Sequence, residues 1–133
     1  MGLKISMVTT EKAANCPFCT GLDAVLVNEH AIACYDKYPV NAGHILIVTR
    51  RHVPDFFDIT AIERSAMLAL IDEAKNLLDE RFRPDGYNVG VNVGQVAGQT
   101  VMHVHVHLIP RYRGDTPNPR GGVRGVIPSR QNY

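Results

Sequence analysis

Short apolar runs separated by polar clusters fill the first part of the chain. Ala24 to Val27 and Ala31 to Tyr35 are two such runs, and Asn28-Glu29-His30 between them predicts a hairpin. Asn41-Ala42-Gly43 reads as a turn. The β-branched segment His44 to Val48 then predicts a buried strand. Beyond it the period changes. Thr60 with Glu63 forms a capping-box signature, and Met67, Leu70, Ile71, Ala74, Leu77 and Leu78 recur at helical spacing. This predicts one main helix with a single apolar stripe. Pro84-Asp85-Gly86 turns the chain. Tyr87 to Val93 and Val101 to Ile109 predict two further strands, joined by the loop Gly94 to Gly98. About five strands and one helix in this order predict an α+β fold with a mostly antiparallel sheet. Residues 110–133 differ in kind: four prolines, four glycines, five arginines and one acid predict an extended basic tail.

Composition narrows the function classes. The 133 residues suit one domain spanning 1–133, with 1–15 as a lead. A formal net charge of +1 argues against a protein that coats a nucleic-acid polymer. No apolar run is long enough to span a bilayer, and no membrane partner is expected. Met1-Gly2-Leu3-Lys4-Ile5-Ser6 fits a loose myristoylation pattern, which we read as chance agreement. Three cysteines without a secretion signal predict a reducing compartment, the cytoplasm.

The chemistry concentrates in His103-Val104-His105-Val106-His107. Strand side chains alternate, so the three histidines would share one face, about 6.5–7 Å apart, with Met102, Val104, Val106 and Leu108 packing behind them. Such a row could bind a metal, or one imidazole could attack an electrophile. Imidazole is substantially neutral near pH 7 and therefore nucleophilic. Gly98-Gln99-Thr100 supplies a flexible backbone, an amide and a hydroxyl, donors suited to phosphate oxygens. No carboxylate lies in the histidine strand to complete a catalytic zinc site.

The run Gly98 to Ile109, in which histidines alternate with apolar residues, resembles the signature of the histidine triad family. The resemblance extends from about Cys16 to Arg111. It includes Asp36 before His44, the strand leading to Arg50-Arg51-His52, and Asn92 before Gln99. It implies that the middle histidine, His105, attacks the α-phosphorus of a nucleotide and forms a nucleotidyl-histidine that water hydrolyses. Asn92, Gly98, Gln99, Thr100 and His107 match positions near phosphate or leaving group, and Asp36 matches an acid that holds the ribose. His44 matches a histidine close behind the row, and His103 completes the catalytic set. Arg111, directly off the strand, is assigned to substrate. The resemblance also implies a homodimer and no organic cofactor.

Cys16-Pro17-Phe18-Cys19 has the spacing of half a zinc site or of a redox pair; a redox reading would need a following βαβ helix, and none is predicted. The same resemblance supplies two more ligands, His52 and His103, for a structural zinc. Cys34 reads as a small buried residue. Phe18, Ile32 and Tyr35 could wall a slot for a base or serve as core. The arginine-rich tail could grip distal phosphates or merely wrap the surface. The leading activity that the resemblance implies is hydrolysis of dinucleoside polyphosphates, because Gln99-Thr100, the triad and Pro110-Arg111 look closest to the branch of the family with that activity. Hydrolysis of nucleoside phosphoramidates, nucleotide-dependent regulation and a mononuclear zinc hydrolase are the alternatives.

Overall fold

The computed structural model describes residues 12–133, so the Met1 to Ser6 pattern lies outside the described residues. β1 (Ala24–Val27) and β2 (Ala31–Tyr35) form the expected hairpin. Asn28 closes it by accepting from the N–H groups of His30 and Ala31 through Oδ1. β3 (Ile45–Thr49) pairs antiparallel with β2. It begins one residue later than expected because the His44 N–H closes the preceding turn onto the Asn41 carbonyl. Gly43 in that turn has φ +89°, and a Cβ there would sit 3.1 Å from both Leu78 and Phe82 of the main helix. Both the backbone conformation and the close approach require glycine.

The helix α1 (Ala61–Phe82) starts at a complete capping box. Thr60 Oγ1 accepts from the Glu63 N–H, and Glu63 Oε1 accepts from the Thr60 N–H. The Glu63 carboxylate also accepts two hydrogen bonds of 2.8 Å from the Arg51 guanidinium, which ties the segment after β3 to the helix start. Those hydrogen bonds outweigh burial and hold its pKa below the ordinary value. Met67, Leu70, Ala74 and Leu78 are the buried stripe, while Ile71 and Leu77 pack at its edge.

β4 (Gly86–Val91) and β5 (His105–Arg111) complete an antiparallel sheet in the order β1-β2-β3-β5-β4. The fold is thus α+β with five strands and one main helix. The helix covers the face formed by Ile45, Ile47, Val106 and Leu108. On the opposite face Cys34, Leu46 and Val48 form a thin second cluster under Phe18, Leu22 and Ile32.

Three expectations need correction. β5 starts at His105, not Val101, because Val104 donates its N–H to the Val53 carbonyl, leaving 101–103 as a bend. Met102, expected in the core, is therefore 47% exposed. The tail is not extended: it coils into 3₁₀ turns at Gly122–Val126 and Pro128–Arg130. Gly121 and Gly122, both at positive φ, permit that reversal, and the Tyr133 ring lies under the guanidiniums of Arg120 and Arg124. Among the described residues no helix is long and apolar enough to cross a membrane.

Candidate active site

Alternation along β5 sends Val106 and Leu108 into the helix-covered core and His105 and His107 to the other face. There both histidines line a cavity of about 660 Å³. That volume suits a small-molecule ligand. Across the sheet His107 pairs with Leu46 and His105 with Val48, so both stand on β5, an interior strand.

Backbone groups decide where each imidazole carries its proton. The Nδ1 atom of His105 lies 2.8 Å from the His103 carbonyl. A carbonyl only accepts, so Nδ1 bears the hydrogen and Nε2 keeps its lone pair. At His44 the logic reverses. The Val40 N–H donates to His44 Nδ1 over 3.0 Å, which places the His44 proton on Nε2. Nε2 in turn lies 2.9 Å from His107 Nδ1 and 3.5 Å from Asp36 Oδ2. His44 donates to His107, and His107 is left with its proton on Nε2. Burial lowers the pKa of both: His44 drops below its ordinary value and His107 to about 4, with the neighbouring His105 and His44 pushing His107 the same way. The cavity thus contains one imidazole with a free lone pair and one with a donor hydrogen. Asp36, His44 and His107 could also be viewed as a metal-binding group. The His44 Nε2–H already serves His107 Nδ1, with the Asp36 carboxylate 3.5 Å from the same nitrogen.

The other expected residues divide. Asp36, Asn92, Gly98 and Thr100 line the same cavity. Gly98 has φ +103°, which turns the chain between Asn92 and Thr100. Gln99 does not line it. Its side chain is buried and spent on the backbone, accepting from the Gly94 N–H and donating to the Pro54 and Val101 carbonyls. Arg111 is not brought there either. It ends β5, four residues beyond His107, or about 13 Å along the strand. Its guanidinium binds both carboxylate oxygens of Asp115 and the Asn88 side chain. Phe18 and Tyr35 wall the cavity, while Ile32 packs beneath it. Cys34 lines it as a neutral thiol, pushed up to about 11 by burial. Sequence reasoning missed Leu22, Lys37 and Val101, which also line the cavity. Lys37 could have been flagged as the neighbour of Asp36. The two acceptors at Thr49 and His103 are main-chain carbonyls and leave no mark in residue identity.

A second group adjoins the cavity. Ligand atoms of Cys16, Cys19, His52 and His103 all lie within 4.8 Å of one another. His103 Nδ1 is 3.4 Å from Cys16 Sγ and 3.5 Å from Cys19 Sγ, and His52 Nδ1 is 3.3 Å from Cys19 Sγ. Zn–S bonds of about 2.3 Å and Zn–N bonds of about 2.0 Å at tetrahedral angles put neighbouring ligand atoms about 3.5 Å apart, so the four fit zinc. His103 Nε2 lies 2.7 Å from the Thr49 carbonyl and donates to it, which turns the Nδ1 lone pair toward the sulfurs. Burial lowers the His103 pKa to about 4, keeping the ring neutral as a ligand must be.

Residues 22–114 match the family model described as HIT domain. The chain is 38% identical to an AP-4-A phosphorylase of Mycobacterium tuberculosis over 62% of its own length and 43% of the phosphorylase, so it spans less than half of that relative. A HIT family protein from Bacillus anthracis is 35% identical, with a TM-score of 0.72 over 78% of both chains. A zinc-bound histidine triad family protein from Mycobacterium smegmatis is 28% identical, with a TM-score of 0.71 over 78% of this chain and 80% of that one.

Proposed function

The chain belongs to the HIT domain family, and from that premise we propose that it hydrolyses nucleotides through a covalent intermediate on His105. The observation that carries this reading is the His105 Nδ1–H bond of 2.8 Å to the His103 carbonyl, which frees Nε2 to attack. In the first step a bond forms between Nε2 and the α-phosphorus, and the bond from phosphorus to the leaving oxygen breaks with its electron pair on that oxygen. The His107 Nε2–H donates a hydrogen bond to the oxygen as charge develops there. In the second step water attacks phosphorus, the P–N bond breaks, and its electron pair returns to Nε2. The water proton passes to solvent and a nucleoside monophosphate leaves. Splitting the reaction in this way uses a better nucleophile than water at the slow step.

Thr100 and the backbone around Gly98 supply phosphate donors, Asn92 a side-chain amide, and Asp36 an acceptor for ribose hydroxyls. Phe18, Leu22 and Leu46 sandwich the base. Zinc fits Cys16, Cys19, His52 and His103, where it would cross-link the N-terminal loop to the sheet without touching substrate.

Dinucleoside polyphosphates are the substrate class we favour; the run Gln99-Thr100 through the triad and a relative named AP-4-A phosphorylase support that choice. A second reading, nucleoside phosphoramidates, draws on one observation. Among the described residues Lys37 is the one cation that lines the cavity and no arginine does, which suits a leaving group of low charge. Comparing kcat/KM for diadenosine polyphosphates and adenosine phosphoramidate separates the two, and trapping a nucleotidyl adduct identifies the nucleophile. An adduct on any histidine other than His105 overturns the mechanism. We further propose a homodimer through β4, an edge strand whose Val89 is half exposed, to be checked by light scattering.

A further inference from the structure

We propose that Phe18 is a positioning residue through which the Cys/His cluster sets the orientation of the nucleophile. The proposal rests on His105 being that nucleophile. Phe18 lies between Cys16 and Cys19, whose sulfurs both face the cluster, and the Cys19 N–H closes a tight turn onto the Cys16 carbonyl. A ring on a loop pinned at both ends has little freedom. That ring meets His105 edge-on, with centroids 4.9 Å apart and planes at 70°, and meets His103 at 6.0 Å. His107 also packs against His105, with centroids 5.1 Å apart and planes at 65°.

Among the described residues, the one hydrogen bond of the His105 ring is the Nδ1–H bond to the His103 carbonyl. One bond at one ring atom leaves the imidazole free to swing about it. Phe18 and His107 remove that freedom. The acceptor that sets the tautomer and one of the two rings that set its plane therefore belong to residues of the cluster or of its loop. Filling the cluster would fix them together, and emptying it would loosen them together. A reacting atom displaced by about 1 Å can lose about a hundredfold in rate.

The test uses the full chain with zinc as the probe. Wild-type protein stripped by chelator is titrated with zinc while the imidazole resonances of His105 are followed by NMR. We expect the His105 signals to shift on zinc binding, and to shift much less in Phe18→Leu. Phe18→Leu should keep about one zinc per chain and its fold, with kcat about tenfold lower. Phe18→Tyr, which keeps the ring edge, should recover kcat to within about twofold of wild type. His105 signals that do not move when zinc fills the wild-type cluster overturn the proposal. So does a Phe18→Leu variant whose KM rises while kcat holds, because Phe18 would then only wall the base. Absence of nucleotide turnover in the wild type would strike the hydrolase reading instead, and the zinc titration would still decide the coupling.

Discussion

The two faces of the sheet are written by the same strands and do opposite work. The face under α1 is closed: Ile45, Ile47, Leu70, Leu78, Val104 and Leu108 are each at most 1% exposed. The other face sits under a thin cover of Phe18 and Leu22 and opens into the cavity. It carries His105 and His107 where the first face carries Val106 and Leu108. The difference teaches how a small domain separates stability from chemistry. A helix can fill one face to native density, which leaves the second face free to hold polar groups, provided that each polar group finds a partner. Here each does: among the described residues no buried side-chain nitrogen or oxygen lacks a hydrogen bond.

If the separation holds, changes on one face should leave the property of the other intact. The largest effect is expected for His105→Ala, with kcat lowered at least about a thousandfold and the melting temperature little changed. A variant retaining a tenth of wild-type kcat removes His105 from the nucleophilic role. The mirror experiment is Leu70→Ala, which opens a cavity under the fully buried helix stripe. It should cost about 3 kcal/mol in denaturant unfolding while the folded fraction keeps its kcat. A large kcat loss there would show that the faces are not separable.

The zinc cluster tests the border between them. Purified protein should hold about one tetrahedral zinc per chain. Cys16→Ser should abolish it and cost about 2.7 kcal/mol at free zinc a hundredfold above Kd. Metal analysis finding no zinc in protein prepared without chelator would remove the site.

The faces also differ in how legible they were. The helix-covered face was readable almost residue by residue, because burial imposes a period on identity: the capping box, the stripe and both hairpin strands stand where the pattern put them. The site was legible as far as side chains carry it. His105, His107, Asp36, Asn92 and Thr100 meet around one cavity. What decides their chemistry is backbone, namely the His103 and Thr49 carbonyls and the Val40 N–H. Main-chain groups are the same in every residue, so their direction emerges only from the bend at 101–103 and the turn before His44. Gln99 and Arg111 show the reverse error. Their side chains are chemically suited to phosphate, but local partners capture them first.

A smaller effect follows from pH. His107 is held at about 4 on the site face, against about 6.5 in an unfolded chain. As pH falls through 6.5 the unfolded chain takes up a proton that the folded protein refuses, so stability is lost from about pH 6.5 down to about pH 4 and no further below it. His44 acts in the same direction. Melting temperature should therefore rise with pH across that window, and His107→Gln should flatten part of that rise. An unchanged slope in that variant would mean that His107 is not held neutral by the fold.

The smallest effect belongs to a region that serves neither face. Five arginines in the tail suggested a clamp over a polyphosphate. The structure instead shows Arg111 bound bidentate to Asp115 and to Asn88 of β4, while Gln131 folds back to donate to the Arg120 carbonyl. Arg124 and Arg120 sit over Tyr133, and Arg124 also donates to the Arg130 and Gln131 carbonyls. Local partners thus engage Arg111, Arg120 and Arg124, and the tail leans on the β4 edge near Asn88. Deleting residues 116–133 leaves the Arg111–Asp115 pair in place. The expected outcome is a loss of about 1 kcal/mol, or about 4 °C in melting temperature. Values of kcat/KM for a dinucleoside polyphosphate and a small phosphoramidate should both stay within about twofold. A loss confined to the longer substrate would break this account. It would mean that the tail reaches a nucleotide site after all, and since these contacts hold it at the far end of β5, the site reached would have to be that of a second copy of the chain.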